Sequence, residues 1–99
     1  MIKDIILNTL IAAEGKGVTR EYLAHKARVS DREVRRIIAE LRDEGYIIGQ
    51  SFNGGYSYGN FVDSQRFLIK ERARVKTLNK RIKSMERAIE NQNQFVMEI

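Results

Sequence analysis

Residues 18–49, VTREYLAHKARVSDREVRRIIAELRDEGYIIG, contain two helix starts so close together that few chain paths satisfy both. Thr19 and Ser30 each offer a hydroxyl to the free N–H groups that open a helix. Glu33 follows Ser30 by three residues, the spacing at which two side chains satisfy each other's backbone donors. Val18 with Leu23, and Val29 with Val34, stand at the positions that staple the entering chain to the first helical turn. Gly45 falls where a helix ends in a left-handed residue. Only Arg28, Val29 and Ser30 separate the two helices, so the pair reads as a helix–turn–helix.

The second helix of the pair, about 31 to 44, has two distinct faces. At about 100° per residue, Val34, Ile37, Ile38 and Leu41 form one inner stripe. Arg32, Arg36 and Ala39 lie nearly opposite, with Arg35 on the flank. Arg32 and Arg36 repel at i,i+4. Arginines near the N-terminus, with Asp43 and Glu44 at the other end, also run against the helix dipole. A sequence tuned for helix stability alone would reverse that order. A groove-reading helix places its N-terminal half against the bases, where these arginines stand.

Around this pair, residues 2 to 13 place Ile2, Ile5, Ile6, Leu10 and Ala13 on one helical stripe, ended by Gly15 and Gly17. In the helix at about 20 to 27, Leu23, Ala24 and Ala27 face inward and His25 faces solvent. After Gly45, residues 46–50 read as a strand, Asn53-Gly54-Gly55 as a hairpin turn whose residues tolerate positive φ, and residues 56–58 as the returning strand. Phe52, Tyr56 and Tyr58 read as core aromatics on a short sheet. Gln50, Ser51 and Asn53 are candidate donors to phosphates. No Arg or Lys occurs between residues 43 and 65, so the hairpin adds little positive charge.

Composition narrows the function classes. The 99 residues carry 18 Lys and Arg against 13 Asp and Glu, a net +5 that suits an anionic partner such as nucleic acid. Without Cys there is neither a disulfide nor a Cys-based zinc site, and one His with no carboxylate cluster argues against a catalytic metal. No run approaches a membrane span, and the N-terminus lacks the layout of a signal peptide. We expect a soluble protein of the cytoplasm without a cofactor. No nucleophile–base pair, phosphate loop or paired-carboxylate motif supports an enzyme.

The run from Val18 to Tyr58, LAHKARVSDREVRRIIAELRDEGYII followed by NGGY, resembles winged helix-turn-helix DNA-binding proteins. It is most similar to small ones of bacteriophages and prophages, in which such a domain precedes a basic C-terminal helix. The resemblance implies a mainly α fold with a small β-hairpin, followed by one long helix. It also implies double-stranded DNA as partner, in a bacterial host cell, with Ser30, Arg32, Arg35 and Arg36 at the major groove. Thr19, Lys26, Arg28 and Asn53 are the accompanying candidates for backbone contacts.

Residues 61–99 differ from 1–60 and form a second region. Asp63 reads as the N-cap of a helix that no Gly or Pro interrupts. Leu68, Val75, Ile82, Ile89 and Val96 recur every seven residues. Leu78, Met85 and Ile99 fill three of the five intervening positions, the others being Glu71 and Gln92. Charge is uneven. Residues 1–60 hold nine basic and eight acidic residues, whereas 61–99 hold nine and five. Thirty helical residues span roughly 45 Å, more than a 60-residue body covers at roughly 27 Å. We therefore expect a homodimer through Leu68, Val75, Leu78, Ile82, Met85 and Ile89. Like charge disfavours a parallel pair, and the antiparallel pair stays open. A two-fold dimer would set two reading helices about 34 Å apart on an inverted repeat. The tail NQNQFVMEI either completes the seam or docks on a partner.

Two functions fit these residues. One is a phage-type transcriptional regulator. The other is an adaptor in phage replication or host-factor inhibition, acting on a phage or host protein.

Overall fold

The computed structural model describes residues 1–98, with side chains to residue 92. The chain is mainly helical with one small sheet. Its order is α1 (Ile2–Ala12), α2 (Arg20–Ala27), α3 (Asp31–Asp43), β1 (Ile48–Gln50), β2 (Tyr56–Tyr58) and α4 (Phe61–Glu98). It divides into two compact units, Met1–Leu68 and the remainder from Ile69.

The first unit has a single core. Ile6 and Leu10 of α1, Leu23 and Ala27 of α2, and Val34, Ile37, Ile38 and Leu41 of α3 meet Ile48 and Tyr56 of the sheet. Each fully buried Val, Leu or Ile contributes about 1.5–3 kcal/mol. The α3 stripe is buried as expected from its spacing. On α1 the buried line is narrower than the expected stripe: Ile2 and Ile5 stay exposed, while Leu7 packs against the core instead. The face of α1 is centred on Ile6 and Leu10, and Ile2 and Ile5 fall at its rim.

Backbone chemistry fixes the joints. Thr19 accepts from the Tyr22 N–H and Ser30 from the Glu33 N–H, each at 3.1 Å. Beyond α3, Gly45 is left-handed at φ 98°. Its N–H reaches the Arg42 carbonyl and the Tyr46 N–H reaches Leu41, both at 3.0 Å, satisfying two carbonyls the helix leaves open. Arg28 does the same work for α2 from φ 56°. The Val29 N–H donates to Ala24 at 3.0 Å and the Arg28 N–H to His25 at 3.3 Å. The end of α1 departs from expectation. Glu14 and Gly15 are the left-handed residues there, and Gly17 is not.

β1 and β2 pair antiparallel, with Ile48 opposite Tyr58 and Gln50 opposite Tyr56. The first strand begins at Ile48, two residues later than expected. Val18 adds a one-residue third strand by exchanging bonds of 2.7 and 2.8 Å with Tyr56. The hairpin turn departs from expectation too. Gly54 takes the positive φ, but Asn53 does not; its Oδ1 accepts from the Gly55 N–H at 3.1 Å and from the Ser51 hydroxyl. Phe52 is not core, being 93% exposed, whereas Tyr56 is buried and Tyr58 half-buried.

Asn60, not Asp63, caps α4. Asn60 Oδ1 accepts from the Asp63 N–H at 3.0 Å, and its Nδ2 donates to the Gly15 carbonyl at 2.9 Å. Asp63 is instead a buried acceptor for the Ser57 hydroxyl at 2.7 Å and the Arg66 guanidinium at 2.9 Å. The same guanidinium nitrogen donates to the Gln50 carbonyl at 3.1 Å. These bonds hold the first turns of α4 to the sheet. The second unit is helix alone. Every residue from Arg72 to Gln92 is exposed, and the heptad positions Val96 and Ile99 lie outside the described side chains.

Candidate nucleic-acid interface

α3 is an amphipathic helix anchored from behind by its buried stripe, so rotation about its axis is fixed. Arg32, Arg35 and Arg36 are consequently exposed, as is Ala39. Neither Arg32 nor Arg36 is turned inward or covered. Three arginines on this face are held by acids. Arg35 Nε lies 3.1 Å from Asp31, which also takes Arg20 Nε at 3.5 Å. Arg36 pairs with Glu33 and, at 3.0 Å, with Glu40. The hydrogen bond from Arg36 holds the Glu33 carboxyl below its usual range, and the same bond raises Arg36. Arg32 has no ion-pair partner among the described residues.

This pattern corrects two expectations. The reciprocal bond, in which Glu33 would accept from the Ser30 N–H, is not made; the carboxylate is turned to the Arg36 guanidinium instead. The dipole mismatch is also smaller than the arginines alone imply. Asp31 and Glu33 occupy the first turn, and Glu44 at the far end is paired with Lys3 of α1. The charge on α3 is locally balanced, so a misplaced-charge argument for binding does not survive. The exposure and grouping of the guanidinium groups do.

The other candidates fall into place around α3. Ser30 stands at its N-terminus and Arg28 in the joint before it, both exposed. Both cap hydroxyls accept from backbone and keep their own O–H for a further acceptor. Thr19, Arg20, Asp31, Asn53 and Gly54 line one shallow depression, so the hairpin tip reaches the start of α3. Asn53 uses its oxygen inside the turn, leaving its amide N–H groups outward. Ser51 is removed from the candidates, since it is buried and donates to Asn53. Lys26 lies along a separate, mostly apolar groove with Ile5, Thr9 and Tyr22.

Two arginines escaped the sequence reading. Arg20 joins the basic face through Asp31, a tertiary contact that helical spacing does not register. Arg42, on α3 itself, points the other way. Its Nε donates to the Ile48 carbonyl at 2.8 Å, and its guanidinium carbon sits 3.7 Å from the Phe67 ring centroid. Among the described residues no group of three or more His, Asp or Glu is placed to hold a metal. No helix of the described residues is long and apolar enough to cross a membrane.

No family model, curated protein or solved structure matches this chain.

Proposed function

We propose that this chain is a winged-helix DNA-binding protein that reads the major groove with α3, acting as a transcriptional regulator of the bacteriophage type in a bacterial cytoplasm. The observation that carries the reading is the exposed Arg32, Arg35 and Arg36 face, standing opposite a fully buried stripe on the second helix of a helix–turn–helix. A guanidinium can bond guanine O6 and N7 together, which few other side chains do. Ser30, Thr19 and Arg28 supply donors toward the phosphates on either side. The ion pairs on α3 oppose this only weakly. Exposed pairs contribute little to stability and exchange readily for a phosphate oxygen.

Selection of the full chain against random duplexes tests the proposal. The expected result is an enriched motif, with Arg32→Ala losing about five- to a hundredfold in discrimination at one base position. Arg36→Ala should lose less, because its guanidinium must first leave Glu33 and Glu40. Salt-sensitive binding without enrichment would reduce the role to non-specific coating. The absence of binding to any duplex would refute the proposal and favour an adaptor, for which the mixed-charge face of α3 is a suitable protein contact.

A further inference from the structure

We infer that the second unit pairs with the same helix of a second copy, as a parallel, in-register, two-stranded coiled coil centred on residues 75–89. Val75, Leu78, Ile82, Met85 and Ile89 form a stripe of a and d positions, each 44–64% exposed. Together they present roughly 500 Å² per copy, at the upper end of the largest apolar patch a typical monomer leaves to water. Two such stripes supply roughly 1,000 Å² before the flanking stems are counted, which approaches the 1,200 Å² at which stable interfaces begin.

Which occupant, and in which direction, follows from the residues themselves. The a positions Val75, Ile82 and Ile89 are all β-branched, and the d positions Leu78 and Met85 are not. That combination favours two parallel strands over higher oligomers. The flanks agree. Arg81 at g and Glu86 at e are five residues apart, a spacing at which side chains on one helix do not face each other. Neither has an ion-pair partner within its own chain among the described residues. In a parallel coil, g of one strand meets the following e of the other, so Arg81 pairs with Glu86 of the second copy, twice by symmetry. Of the two antiparallel registers that keep four of these five residues in a–d layers, one sets Arg81 against Arg81 and the other sets it near Ala88, and neither makes the Arg81–Glu86 pair.

The basic charge on this helix does not prevent parallel pairing. Lys70, Lys76, Lys80, Lys83 and Arg87 occupy b, c and f positions, which point away from the seam. The other g–e pair along the seam sets Arg74 opposite Asn79, without repulsion. The pairing stands independently of what α3 binds.

Sedimentation equilibrium and cysteine cross-linking of the full chain test this. The protein has no Cys, so Met85→Cys introduces a single thiol. In redox buffer a parallel coil links Met85→Cys chains to one another. An antiparallel coil links them only when mixed with Val75→Cys or Ile82→Cys chains, according to its register, and either outcome overturns the inference. Arg81→Glu should weaken self-association about tenfold by turning two attractions into repulsions. Adding Glu86→Arg to it should restore most of the loss. A chain that sediments as an 11.5 kDa monomer at its highest soluble concentration also overturns the pairing. It leaves the DNA-binding proposal to be judged by the duplex selection.

Discussion

Gly55→Ala tests how the hairpin is fastened to the helices. Gly55 lies in the turn, yet a Cβ there would sit 2.1 Å from the Val18 carbonyl oxygen and 2.9 Å from the Thr19 Cα. Ordinary contact begins at 3.4 Å, so the hairpin must retreat by about 3.4 − 2.1 = 1.3 Å from residues whose backbone is itself hydrogen-bonded. The two Val18–Tyr56 bonds, at 2.7 and 2.8 Å, do not survive such a shift. Their loss costs about 1–3 kcal/mol together, and forcing a methyl group into a packed site adds about 1–3 kcal/mol. We expect a net destabilisation of about 2–6 kcal/mol, which at about 4–8 °C per kcal/mol lowers Tm by roughly 8 °C or more for a unit of this size. All four tyrosines, Tyr22, Tyr46, Tyr56 and Tyr58, lie in the first unit. The tyrosine band of the near-ultraviolet circular dichroism therefore follows its melting, apart from the phenylalanine signal of the long helix at shorter wavelength. Gly54→Ala is the control. Nothing lies within 4 Å of its Cβ, and only the left-handed φ of 84° opposes it, at about 1 kcal/mol. Equal effects at the two positions, or a loss at Gly55 below about 0.5 kcal/mol, would refute the close-approach argument.

Arg28→Gly should raise stability by about 0.5–1 kcal/mol, since glycine adopts the left-handed cap without strain. If the guanidinium meets a phosphate, the same variant lowers the salt slope of DNA binding by about one unit, and an unchanged slope removes Arg28 from the interface. The Glu33–Arg36 pair sets a pH dependence of defined sign. Because the folded carboxyl titrates below its usual range, the pair's contribution is present above the unfolded value and is lost as pH falls through the depressed one. A carbon-detected titration should place the Glu33 midpoint low in the native chain and return it to the usual range in Arg36→Ala.

What the chain discloses on inspection is local. The Thr19 and Ser30 caps, the left-handed Gly45 and the α3 stripe each depend on residues within one or two turns, and each is where the spacing puts it. What it conceals depends on partners far along the chain. Asn60 and Asp63 are equally good cap residues. The choice between them is made by Gly15, Ser57 and Arg66, which compete for the two side chains. Arg42 looks like one more exposed arginine until Ile48 and Phe67 are set beside it. Phe52 reads as core by residue type, but the hairpin turn carries it outward. At the candidate site the arginine face is legible and its neutralisation is not. Glu33 has two possible bonds, and only the geometry of Arg36 decides which is made.

The inward course of Arg42 bears on how any alanine survey of this helix should be read. Four guanidinium groups lie within eleven residues, and if α3 binds a duplex as proposed, truncating any of them would weaken retardation on a gel in the same way. For three of them the deficit would report lost contact with the duplex. For the fourth it would report a body that has come partly undone, with the cation removed from between two rings. A melting curve recorded beside each retardation assay separates these cases before any footprint is drawn.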